Sequence, residues 1–212
     1  VIGATDFMSA GPMYTYADTP GDVEMKKFSI ARDLEPNGLV PFIKRSRKYG
    51  SFILQATMDY PPDWMLVDVE KNQNVDRKYY DALALYFLRY LQEYEKQGIF
   101  IDYLSPFNEP MGYTKIPFPQ LRDLIKNHIG PLFYRQQVRT KLQTSDFIDR
   151  VTALRAAPII LDDPDAARYI SGIAYHGYDW RRQAIRPEAR TGYQFDEFKA
   201  VNELFRRYRG TI

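Results

Sequence analysis

Apolar positions along this chain fall into two kinds of pattern, short continuous runs and longer stretches in which they recur every three or four residues. Ser51-Phe52-Ile53-Leu54-Gln55-Ala56-Thr57, directly after Gly50, predicts a buried strand. Tyr79, Leu83, Tyr86, Phe87, Tyr90, Leu91 and Tyr94 predict one face of a helix over 79–97, with Gly98 as its stop. Ile99 to Leu104 predicts the next strand. A helix over Pro119 to His128 is expected to end at Gly130-Pro131. Val138 to Thr144 predicts a strand whose pattern is blurred by Arg139, Lys141 and Gln143. Ile148 to Leu161 predicts a helix, Asp163-Pro164 caps a short one, and Tyr169 to Tyr178 predicts a further strand. Val1 to Thr5 reads as the tail of an earlier strand, and Phe195 to Tyr208 as a last helix.

Strand and helix alternating in this way imply βα units and a parallel sheet. An open doubly wound sheet and a (β/α)8 barrel both satisfy the alternation. No glycine-rich phosphate loop follows any run, which counts against a nucleotide-binding open sheet. Polar residues instead gather just past the expected strand ends: Asp6, Asp59 with Asp63, Asn108 with Glu109, Asp146 and His176. That arrangement is the mark of a barrel active site, although a closed barrel needs about eight strands and the pattern supplies about five. The expected fold is α/β, a partial TIM (β/α)8 barrel of about five strands with their helices, roughly strands 2 to 6 in the order that the resemblance described below implies. Residues 1–212 then form a single incomplete catalytic domain, truncated at both ends.

Composition narrows the function further. Hydrophobic residues make up 45% of the chain, enough for a sizeable core. Lysine and arginine number 29 against 27 acidic residues, a formal charge of +2, so no nucleic-acid partner is expected. Lys44, Arg45, Arg47 and Lys48 read as a solvated helix face. Cysteine is absent, excluding disulfides and thiolate chemistry, and with two histidines no metal site is expected. No run approaches the roughly 20 apolar residues of a membrane span. The chain begins at Val1 rather than Met, so the true N-terminus is expected to lie upstream. The pattern carries no reading of oligomeric state.

Among the candidate groups, Glu109 in Ser105-Pro106-Phe107-Asn108-Glu109-Pro110 fits the acid/base carboxylate of a glycosidase. A strand end holds it in place, Pro110 stiffens the exit of the chain, and Asn108 can bond a sugar hydroxyl beside the cleaved bond. Each remaining candidate also has a packing or capping reading. Asp6 can cap a turn, Asp59 and Asp63 can cap a helix start, His176 can be a satisfied core histidine, and Trp64 can be core. No Gly-x-Ser-x-Gly turn supports serine chemistry.

Several separated segments resemble one family. Thr5-Asp6-Phe7 and Tyr14-Thr15-Tyr16-Ala17-Asp18-Thr19-Pro20-Gly21-Asp22, then Phe28-Ser29-Ile30, Val40-Pro41-Phe42-Ile43-Lys44, Asn108-Glu109-Pro110 with Pro117-Phe118, and Asp163 through Tyr178 are similar in order and register to glycoside hydrolase family 30, close to its glucosylceramidase branch. The resemblance implies a retaining β-glycosidase that needs no cofactor and acts on a carbohydrate or glycolipid. It implies secretion or a lysosomal or vacuolar location. Glu109 is implied as the acid/base and Asn108 as its sugar-binding neighbour. Asp6, His176, Tyr178, Asp59, Trp64 and Phe118 are implied around the substrate.

The chain departs from the family pattern in three places. The nucleophile's Ser/Thr-Glu segment has no counterpart before Ile212, so the chain alone is expected to be inactive. Asp59 stands where the branch has a glucose-stacking tryptophan, and Gly177 where it has the tryptophan of His-Trp-Tyr. These changes open the substrate to a polysaccharide such as β-1,6-glucan or galactan. A non-catalytic carbohydrate-binding relative is the third reading.

Overall fold

The computed structural model describes residues 2–3, 14–71, 74–177 and 193–208. Its elements are helices α1 (Ala31–Leu34) and α2 (Leu39–Ser46), strand β1 (Gln55–Thr57), α3 (Tyr80–Lys96), β2 (Tyr103–Ser105), α4 (Phe118–Leu124), α5 (Gly130–Arg135), β3 (Lys141–Phe147), α6 (Arg150–Leu161), α7 (Pro164–Ala167), β4 (Ile170–Tyr175) and α8 (Tyr193–Arg207). The strands form one sheet in the order β1-β2-β3-β4, and every pair is parallel. Neighbours in sequence are neighbours in space, so the order never reverses. An unrolled barrel wall has this topology, whereas a doubly wound sheet has a switch point. The Ile2 N–H donates to the Thr57 carbonyl at 2.7 Å, continuing the hydrogen bonding beyond β1. Val1, Ala4 and Thr5, the rest of the expected first strand, lie outside the described residues.

The helices cover one face of this sheet. Ala56, Leu104 and Leu142 alternate with polar neighbours along the strands and join the buried core on the helix side. α3 contributes most to that core, burying Leu83, Tyr86, Phe87, Leu91 and Tyr94 along one side. It ends as the sequence predicts. Gly98, at φ +73°, donates to the Glu95 carbonyl, and Ile99 donates to Tyr94 at 3.0 Å, a Schellman closure that needs the left-handed residue. α1 is held from below by its own buried Asp33. That carboxylate accepts hydrogen bonds from the hydroxyls of Tyr14, Tyr16 and Tyr94, joining α1, the preceding segment and α3. Among the described residues, no helix is long and apolar enough to cross a membrane.

Three strands start later than their apolar runs. The Leu54 N–H bonds the Asp102 carboxylate at 2.8 Å instead of a neighbouring backbone, so the ladder begins at Gln55. Ile99 is used in closing α3, and β2 begins at Tyr103. Val138 likewise bonds back to Phe133 at 3.0 Å, closing α5, so the third strand is 141–147 rather than 138–144. Gly130-Pro131, expected as a helix stop, lies inside a continuing helix. A wide π turn over Ile125–Ile129 joins α4 to α5, with the Gly130 N–H reaching back five residues to Ile125. The wider turn tolerates a proline that lacks its own N–H. Gly130 is there for closeness. A Cβ at this position would lie 2.2 Å from the Tyr169 ring.

Candidate active site

Beyond Ser105 the chain of β2 keeps pairing with its neighbours. Asp146 donates its N–H to the Phe107 carbonyl at 3.0 Å, and Glu109 donates to the Asp146 carbonyl at 2.7 Å. On the other side, the Asn108 N–H donates to Met58 at 2.8 Å. The Ser145 hydroxyl stitches the same stretch by donating to the Phe107 carbonyl at 2.7 Å while accepting from the Phe107 N–H. Asn108-Glu109 is therefore fixed between the extensions of β1 and β3, at the C-terminal edge of the sheet.

At Glu109 the backbone turns sharply. Its φ is +44°, and that of Met111 is +75°, both in the left-handed region that costs a non-glycine residue about 1–2 kcal/mol. The turn closes through Gly112, which donates to the Glu109 carbonyl at 2.7 Å and whose Cβ position would fall 2.9 Å from that same oxygen. Thr114 finishes it with a buried hydroxyl bond of 3.0 Å to the Asp59 carbonyl. Strain held this firmly beside a strand end is characteristic of functional sites.

The turn aims Glu109 at His176, which follows β4. Glu109 Oε1 and His176 Nδ1 are 2.8 Å apart, and His176 Nε2 lies 3.4 Å from Asp146 Oδ1. All three side chains are mostly buried, Glu109 at 13% exposure. Burial pushes the Asp146 carboxyl above the ordinary aspartate range; His176 opposes that rise, and the nearby Glu109 adds to it. Asp146 Oδ2 also accepts from Gln55 Nε2 at 3.2 Å. Beneath it the Ser105 hydroxyl donates to Gln143 Oε1 at 2.8 Å and lies 3.4 Å from Gln55 Nε2. Gln55, Ser105, Gln143 and Asp146 thus share the sheet face opposite the helices. Gln143 and Asp146 are three residues apart, and simple alternation would send them to opposite faces. A register shift in β3 between them brings both to one side.

The expected substrate residues are distributed unevenly around this centre. Asn108 and Asp59 are buried, and the Asp59 loop is bonded to the Glu109 turn through Met58 and Thr114. Asp63 is exposed and opens a single turn of 3-10 helix over Asp63–Met65. Trp64 donates its indole N–H to the Ala17 carbonyl at 2.7 Å and meets Tyr79 edge-on, which are packing contacts. Phe118, at the start of α4, packs edge-on against Phe147 with 5.8 Å between ring centres. Asp6 and Tyr178 lie outside the described residues. Asp146 stood among the polar residues expected past strand ends, whereas Gln55, Ser105 and Gln143 were given no role by sequence. Alternation was an available signal in the first two strands, where Ala56 and Leu104 each precede or follow a polar residue, but β3 reads Lys-Leu-Gln-Thr-Ser-Asp-Phe and shows no such pattern. Tyr60 and Tyr113, ring centres 5.5 Å apart, were missed as well; they pair edge-on beside the same two loops. Among the described residues, no group of three or more His, Asp or Glu is arranged to hold a metal ion.

A carboxyl clamped at the C-terminal edge of a parallel sheet, beside a histidine, stands at the end of the sheet where (β/α)8 barrels carry their active sites. The family model of the glycosyl hydrolase family 30 TIM-barrel domain matches residues 1–196, so this chain belongs to that family. It is 31% identical over 183 residues to the lysosomal acid glucosylceramidase of Mus musculus, covering 78% of this chain and 35% of the relative. It is 27% identical over 195 residues to an endo-1,6-beta-D-glucanase of Neurospora crassa, covering 84% and 39% respectively. Among solved structures, an endo-beta1,6-glucanase superposes with a TM-score of 0.72 at 24% identity, over 88% of this chain and 45% of its own. SrfJ from Salmonella typhimurium gives the same TM-score over 84% and 41%. The chain thus spans between about a third and two fifths of the length of these curated relatives.

Proposed function

We propose that this chain carries the acid/base half of a retaining β-glycosidase, with Glu109 as the group that moves the proton. The observation that carries the reading is the strained Glu109 turn, held at the C-terminal edge of the sheet with its carboxyl on His176. In the first step the protonated Glu109 gives its proton to the glycosidic oxygen as the bond to the anomeric carbon breaks. A second carboxylate attacks that carbon and forms a glycosyl-enzyme. In the second step Glu109, now ionised, takes a proton from water as the water displaces the enzyme carboxylate. The second carboxylate is assigned to no residue of this chain. Cleavage by this route requires both carboxylates, one on each side of the scissile bond.

The favoured substrate is a β-glucoside, glucosylceramide included, by similarity to the glucosylceramidase of Mus musculus. One observation favours a second reading, a β-1,6-linked glucan. Asp59 stands beside the Glu109 turn where the resemblance to the glucosylceramidase branch implies an aromatic wall, so the ring that would stack on glucose is missing there. The relative from Neurospora crassa is named as an enzyme acting on such a glucan.

Glu109→Gln in the full gene product tests the mechanism. Turnover of alkyl β-glucosides should fall by about 10²–10⁴-fold, the usual contribution of acid/base catalysis. A dinitrophenyl glucoside, whose leaving group needs no proton, should still form the glycosyl-enzyme, and azide should rescue its release as the β-glycosyl azide. Equal loss on both substrates with no azide product overturns the assignment. Assays with glucosylceramide and β-1,6-glucan decide between the two substrates.

A further inference from the structure

We propose that Asp146 is a positioning residue for proton transfer at Glu109, acting through His176 and never touching the substrate. The inference rests on the acid/base reading of Glu109. Its geometric basis is a chain of contacts drawn from three strands: Glu109 Oε1 to His176 Nδ1 at 2.8 Å, then His176 Nε2 to Asp146 Oδ1 at 3.4 Å. An imidazole held at both nitrogens cannot swing away, and its tautomer is set by the group on its far side. Asp146 faces the Nε2–H as an acceptor, so Nδ1 presents a lone pair toward Glu109. That lone pair is satisfied by the protonated carboxyl, the form the first step requires. Once Glu109 has given its proton to the leaving group, a proton taken from bulk water lets the ring face the carboxylate as an imidazolium, with Asp146 balancing the charge.

Three features make Asp146 more than a bystander. The register shift in β3 is what brings its side chain to the Glu109 face, and such shifts re-aim side chains beside active sites. Gln55 holds the second carboxylate oxygen at 3.2 Å and also donates to Ser105, which in turn donates to Gln143, so the group has a built seat. A buried carboxylate also costs stability, which a chain accepts readily only where the charge is used. The 3.4 Å separation is long for a hydrogen bond, and such contacts commonly tighten once substrate closes the site.

The test uses Asp146→Asn in the full gene product, which keeps the shape and removes the charge. Expected is a loss of about 10- to 100-fold in kcat on alkyl glucosides, a part of what acid/base catalysis supplies, with little change in KM. The kcat/KM of a dinitrophenyl glucoside, which reports formation of the glycosyl-enzyme, should stay within about threefold of wild type, since that leaving group departs without a proton. In a His176→Phe background, Asp146→Asn should cost nothing further. Equal loss on both substrates, or an additive loss in the double variant, overturns the proposal in favour of a structural role. If Asp146→Asn does not fold, Gln55→Met removes the other donor to Asp146 and should give the same leaving-group dependence at smaller size; a uniform loss there also overturns it. Failure of Glu109→Gln to show leaving-group dependence would instead sink the acid/base reading, so the two failures are distinguishable.

Discussion

Glu109 and His176 are 67 residues apart in sequence and 2.8 Å apart in space, and the sheet between them determines that contact. Each follows a strand, β2 in one case and β4 in the other, with β3 lying between. The meeting therefore spans one intervening strand and reports the curvature of the wall as well as its register.

The backbone at Glu109 is under strain, and two truncations can isolate it. Glu109→Ala and Glu109→Gly both delete the carboxylate and its bond to His176, but only glycine accepts a φ of +44° without penalty. Glu109→Gly is expected to be more stable than Glu109→Ala by about 1 kcal/mol, measured as urea unfolding midpoints of the full gene product. Equal midpoints would mean that the turn is relaxed.

Asp146 should show the opposite balance of stability and activity. Its carboxyl is raised above the ordinary range, chiefly by burial, so the folded state holds its proton more tightly than the unfolded chain does. For such a group the stabilisation is fully present below the unfolded pKa and is lost as pH rises through the folded one. Asp146→Asn is thus expected to raise the thermal midpoint at pH 7 and to leave it unchanged near pH 3. A variant destabilised at pH 7 would show that the charge contributes more to the fold than its burial costs.

The Asp33 seat governs the first third of the chain. Three phenols donate to this carboxylate, which is 2% exposed. Asp33→Ala strands those donors and should cost about 3–5 kcal/mol, as when one member of a buried charged network is removed. Tyr94→Phe removes one bond to a charged acceptor and should cost about 1.5–3 kcal/mol. Burial also pushes the Tyr16, Tyr86 and Tyr94 hydroxyls well above their usual 10.0. Above that pH the unfolded chain releases protons that the folded one keeps, so stability falls as pH climbs. Phenolate absorbance should then appear together with unfolding; early, gradual ionisation of these residues would contradict the burial.

Gly130 packs so closely on Tyr169 that Gly130→Ala should destabilise by about 1–3 kcal/mol. In a Tyr169→Ala background the same change should become neutral or favourable, since alanine is the better helix former by about 1 kcal/mol. Thermal midpoints of the four proteins give the coupling. An unchanged penalty in that background would place its origin elsewhere.

Much of this was legible in sequence, for reasons specific to each element. The period of α3 is clear because one broad face is apolar, and its stop is clear because Gly98 is the one residue type that closes it without strain. Glu109 and His176 could be picked out as residues past strand ends. Strand limits were misjudged because Leu54, Ile99 and Val138 are apolar yet bond to a side chain or a closing helix turn. Asp33 was missed entirely, since no local pattern distinguishes a buried acceptor of three phenols from a surface aspartate. Asp146 was noticed, but its role depends on a register shift that only the paired strands reveal.

The polar seat beneath Asp146 has a consequence for descent. Gln55, Ser105 and Gln143 come from three different strands and are linked by hydrogen bonds through Ser105, the buried member of the three, so losing Ser105 unlinks the other two. Lineages carrying this chain should then change these three positions together or not at all. The loops above them, by contrast, are free to diversify. New sugars can be accommodated at the rim while the floor that holds the proton-moving group is inherited as a unit.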